Sequence, residues 1–179
     1  MCKTSLKRRL HSPLAIIKLM NMKKTLLLIS FFIFSITETF ACSCIGTNES
    51  LSKKVKKAFN QSDLIINGKV VEILVVNKAK MKSSADPIIY KFEITKVIKG
   101  IIKKKIVDIA SETMEMSCGY NFELGKSYLV YARKSTHFSK MTNNEFDFVT
   151  SLCDRNKKAD KVDKIEYQEL KSLNVKNEK

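Results

Sequence analysis

The sequence predicts a mainly β domain, closed as a five-stranded antiparallel barrel with short flanking helices. Five segments rich in β-branched and aromatic residues are separated by polar or glycine-marked stretches. No helical pattern lies between successive strands, as a doubly wound parallel sheet would require. Helical spacing occurs only at the two ends of the domain. A β-sandwich is the architectural alternative, and no internal repeat is visible.

The first element is a short amphipathic helix, with Leu51, Val55, Ala58 and Phe59 at helical spacing and lysines between them. Leu64 to Val76 reads as a long first strand, with Asn67-Gly68 as a bulge or bend inside it. Lys78 to Asp86 is a polar connector, and Pro87 precedes the second strand. From Ile88 to Ile98 the residues alternate, with Tyr90, Phe92 and Ile94 on one face and Lys91, Glu93 and Thr95 on the other. Lys105 to Ala110 forms the third strand. Leu124-Gly125-Lys126 turns the chain into a fourth, Ser127 to Arg133, and Glu145 to Leu152 supplies the fifth with Phe146 and Phe148. Between Lys161 and Leu173, Val162, Ile165, Tyr167, Leu170 and Leu173 suggest a terminal helix; a loosely docked, solvated tail is the alternative.

Upstream of this domain, Thr25 to Ile36 is an apolar run of about a dozen residues, short of the roughly 20 that span a bilayer. It follows Met22-Lys23-Lys24 and ends in Thr39-Phe40-Ala41, so residues 1–41 read as a secretory signal peptide. Met22 is an alternative start, which would make the preceding residues either a long n-region or no part of the protein. Cleavage after Ala41 leaves a single domain, 42–179, with a helical C-terminal tail. Lipoprotein processing would also leave Cys42 first. A lipobox, however, prefers Leu at −3 and a small residue at −2, where this chain has Thr39 and Phe40.

Charge and cysteine count change with the leader. The full chain of 179 residues carries 33 Lys and Arg against 18 Asp and Glu, a net +15. Seven of those bases and one acid lie in residues 1–41, so the remainder carries +9. The five cysteines fall to four, an even set suited to pairing in an oxidising compartment. A secreted or periplasmic location follows, with no membrane association unless Cys42 is lipidated.

The sequence offers no case for an enzyme. It contains no HExxH, P-loop, GxGxxG or Ser-His-Asp set. His137 reads as a solvated loop histidine, and Glu112 and Glu115 as exposed loop acids. Lys103-Lys104-Lys105 has no stacking aromatic beside it, so it reads as a solvated turn rather than a nucleic-acid footprint. No cofactor is implied.

What stands out is Cys42-Ser43-Cys44-Ile45 at the new terminus, with Cys118 and Cys153 far along the chain. Four cysteines allow three connectivities. In this pattern the chain resembles the tissue inhibitor of metalloproteinases family, in the netrin-like group. The resemblance spans nearly all of 42–179. It rests on the terminal CxC, on Ser62-Asp63-Leu64-Ile65-Ile66 opening the first strand, on Cys118-Gly119 before a Tyr-Leu strand, and on Leu152-Cys153-Asp154 after the last.

The resemblance implies a five-stranded OB barrel, bridges Cys42–Cys118 and Cys44–Cys153, and a secreted monomer that inhibits a zinc metalloprotease. The Cys42 amine and carbonyl would chelate the protease zinc. Ser43 would enter the specificity pocket, while Cys44, Ile45, Met116, Ser117 and Cys118 would complete the inhibitory ridge. The extra disulfide and second cysteine-rich domain of vertebrate members have no counterpart here. A netrin-like module that inhibits nothing, and binds a protein, glycan or surface ligand instead, is the alternative function.

Overall fold

The computed structural model describes Cys44 and residues 48–81, 83–145 and 147–177. The chain forms α1 (Leu51–Gln61), β1 (Leu64–Val75), β2 (Pro87–Lys99), β3 (Ile106–Glu112), β4 (Ser127–Ser135), α2 (Ser139–Thr142), β5 (Asp147–Val149), β6 (Lys157–Lys158) and α3 (Lys164–Asn177). β1 pairs β2, β2 pairs β3, β3 pairs β5, β5 pairs β4, and β4 returns to β1. Five strands therefore close a ring, an OB-type barrel, and β6 adds to the outer end of β4.

The ring is not wholly antiparallel. β3 and β5 run parallel through Ile109–Phe148 and Ala110–Val149, which corrects the all-antiparallel expectation. The fifth strand is also shorter than the apolar pattern suggests. It ends at Val149 because Thr150 leaves the β4 ladder, donating its amide to Ala110 and its hydroxyl to Tyr131. Phe146 lies outside the described residues.

Alternation divides the apolar residues between two cores. Leu64, Ile66, Tyr90, Phe92, Tyr128, Val130 and Ala132 point into the barrel. Phe122 sits among them, its ring edge-on to Tyr90 and Phe92 at 5.0 Å and to Tyr128 at 4.9 Å. Outside the barrel, Ile65, Leu129 and Tyr131 pack beneath Val55 and Phe59 of α1 and Leu170 of α3. β4 is thus buried on both faces, which explains its almost uninterrupted run Tyr128 to Ala132.

Lys99 ties α1 to the barrel. Its ammonium donates to the Phe59 and Ser62 carbonyls at 2.7 and 2.6 Å and lies 4.6 Å from the Phe59 ring centre. A cation at a helix C-terminus satisfies carbonyls that have no helical partner. The terminal helix starts at Lys164 rather than Lys161, after a short 3₁₀ turn at Ala159–Lys161.

Candidate functional site

The segment leaving β3 forms a locked turn. Thr113 donates its amide and hydroxyl to the Asp86 carbonyl at 2.9 and 2.7 Å, and the Met114 amide donates to Ser84 at 3.2 Å. A 3₁₀ turn over Glu115–Ser117 follows and ends at Cys118 in the left-handed region, φ 70°. The Ser117 hydroxyl bonds the Ser84 hydroxyl at 2.6 Å, so the β1–β2 connector braces the turn. That connector is itself pinned at the Asp86 carboxylate, which accepts from Asn77 and the Ser83 amide, both at 2.7 Å. Met116 stands 73% exposed on this rigid platform.

The β5–β6 connection lies against the same turn. Leu152 donates its amide to the Cys118 carbonyl at 2.7 Å. Its neighbour Cys153 is joined to Cys44, with Cα atoms 5.2 Å apart. Cys118 is also disulfide-bonded, to a partner outside the described residues. The Asp154 carboxylate accepts from the Ser151 amide at 2.7 Å and from Arg133 at 3.0 Å, fixing the loop that carries Cys153. Cys44, Met116, Ser117, Cys118 and Cys153 therefore converge at one end of the barrel. Cys42, Ser43 and Ile45 lie outside the described residues.

Gly119 explains why glycine follows Cys118. A Cβ there would collide with the Glu112 carbonyl oxygen and approach the Glu112 carbonyl carbon to 2.7 Å. Gly119→Ala is expected to destabilise the fold by about 1–3 kcal/mol, because backbone rather than a pliable side chain must yield. Urea denaturation measures this; an unchanged midpoint would mean that the turn relaxes freely.

One reading of the acids needs correction. Glu112 closes β3 and is mostly buried rather than an exposed loop acid. Its Oε2 is buried and accepts no hydrogen bond among the described residues, and its Oε1 is 3.8 Å from His137 Nε2. Burial pushes its carboxyl pKa up, against the opposing pull of His137. His137 is exposed but not merely solvated, since its ring also stacks edge-on with Phe138. With Cys118, Arg133, Val149 and Cys153 these side chains line a cavity of about 450 Å³. The sequence pattern ends the third strand at Ala110, which puts Glu112 in the following loop, whereas β3 runs on to Glu112.

The family model for tissue inhibitor of metalloproteinase matches residues 40–169. The chain belongs to this family. Membership supports metalloproteinase inhibition as its general function and a metalloproteinase as its partner, and the family is one of inhibitors rather than enzymes. No curated protein matches the chain. No helix among the described residues is long and apolar enough to cross a membrane.

Proposed function

We propose that residues 1–41 are removed on export and that the chain from Cys42 inhibits zinc metalloproteases through its own N-terminus. The observation that carries this reading is the junction of Cys44–Cys153 with the Met116–Cys118 turn through the Leu152–Cys118 hydrogen bond. Two peptide units separate Cys44 from Cys42, a span of at most about 7.6 Å. Pairing of Cys42 with Cys118 would account for the bonded state of Cys118.

The chemistry then belongs to the freed α-amine. An α-amino group ordinarily titrates near about pH 8, so it releases its proton readily when a metal competes. The Cys42 amine and carbonyl oxygen close a five-membered chelate on the protease zinc and displace the water that would act as nucleophile. Ser43 enters the specificity pocket, and Ile45, Met116 and Ser117 flank it. Disulfide anchoring lowers the entropy that binding must remove.

One alanine added before Cys42 tests the mechanism. The unextended protein is expected to inhibit members of a zinc-metalloprotease panel, and the extension to weaken inhibition by at least about 100-fold. Equal potency of the two proteins would refute amine chelation. Binding without inhibition would favour the non-inhibitory netrin-like module.

A further inference from the structure

β1 is longer than the barrel needs. Its pairing with β4 runs from Leu64 to Lys69 and closes at Val70, which exchanges backbone hydrogen bonds with Lys126 and Gly125. Beyond Val70 the strand continues to Val75, paired with β2 alone. The other edge of 71–75 has no backbone partner among the described residues. Its side chains are apolar: Val71, Ile73, Leu74 and Val75 are 37–42% exposed.

An open, apolar edge is a template for another strand. Proline and lysine, two protective devices of other edges, are missing from 71–75, while the register shift between Val70 and Glu72 marks a bulge where the edge begins. Its one charge, Glu72, is already neutralised by Lys91 at 2.8 Å on the β2 side.

The order of residues selects the occupant. Read antiparallel about Ile73, the strand is complementary to itself. Val71 faces Val75 of the other copy, Ile73 faces its own equivalent, and Glu72 faces Leu74. No like charges meet. Ile73 and Val75 lie opposite Tyr90 and Ile88 of β2 and so share one face, and the two copies would join these apolar residues side by side. We propose that the chain forms a two-fold dimer by antiparallel pairing of residues 71–75 of β1, in place of the monomer expected from sequence.

Sedimentation velocity of the exported protein, from low micromolar to sub-millimolar concentration, tests this. A concentration-dependent dimer is expected. Ile73→Lys places two like charges opposite each other and should weaken association by at least about tenfold. Val71→Lys should also weaken it, and adding Val75→Glu should restore it, because each introduced lysine then faces an introduced glutamate of the second copy. These positions are solvent-exposed, so near-ultraviolet circular dichroism should show the barrel intact in each variant. A monomer at every concentration would overturn the proposal, as would a dimer indifferent to Ile73→Lys. A double variant no better than Val71→Lys alone would overturn the register. Amide protection of 71–75 that appears only with a foreign protein would assign the edge to another chain and likewise overturn the dimer.

Discussion

Glu166→Ala is expected to lose about 3–5 kcal/mol of folding stability, the range for removing one member of a buried ion pair. Glu166 is fully buried on α3, under the outer face of β4. Its Oε1 accepts from the Tyr131 hydroxyl at 2.9 Å and from Arg155 Nε at 3.0 Å. Its Oε2 accepts from Arg155 Nη2 at 2.9 Å and Lys157 Nζ at 2.8 Å. The carboxylate thus gathers β4, the loop after Cys153 and β6 onto one helix. Alanine would leave the buried Tyr131 phenol without its acceptor and the partly buried Arg155 guanidinium without its carboxylate, as well as a gap. The exposed pair Glu123–Lys158, at 2.6 Å, is the contrast: Glu123→Ala should leave stability within experimental scatter, because water screens that pair.

The same residue sets an acid limit. Burial pushes the Glu166 carboxyl pKa up, but hydrogen bonds from Arg155, Lys157 and Tyr131 outweigh it and the net shift is downward. A depressed folded pKa gives stability that is present above the unfolded value, about 4.3, and is lost as pH falls through the folded value. Glu112 has the opposite sign. Its raised pKa means that its contribution declines as pH rises from about 4.3 through the folded value. Urea midpoints across acid pH should therefore fall steeply in the natural protein, and Glu166→Gln should flatten that fall. An unaltered pH profile in Glu166→Gln would place the acid sensitivity elsewhere.

The strands were legible because period-two alternation is a local property. Tyr90, Phe92 and Ile94 against Lys91, Glu93 and Thr95 predict the β2 faces that the barrel then uses. Asn67-Gly68 likewise falls at a register shift between β1 and β2. The parallel β3–β5 contact was not legible, since nothing in either strand encodes the direction of its neighbour. Nor was the Glu166 cluster. Its members stand at 131, 155, 157 and 166, and each alone looks like an ordinary surface residue or a strand tyrosine. At the candidate site, the cysteines marked the place while the bracing did not show. Ser84, Asp86 and Thr113 are common turn residues, and only folding brings the β1–β2 connector onto the Met116 turn.

Loss of the Cys44–Cys153 bridge, by Cys44→Ser with Cys153→Ser, should cost about 2–5 kcal/mol. The sequence separation of 109 alone corresponds to about 5 kcal/mol of loop closure if chain entropy is the whole effect. The remaining disulfide at Cys118 still restricts the unfolded chain, so the observed loss should fall below that figure. Inhibition should suffer separately. The bridge holds Cys44 beside a loop already fixed by Asp154, Arg133 and the Leu152–Cys118 hydrogen bond. On the proposed mechanism the N-terminal segment would then have to be ordered during binding, which would raise the entropic cost of the complex. At a temperature where circular dichroism shows the variant still folded, potency should fall with the barrel intact. Undiminished inhibition by that folded variant would make the bridge a purely structural staple. The Cys118 disulfide would then suffice to present the N-terminus.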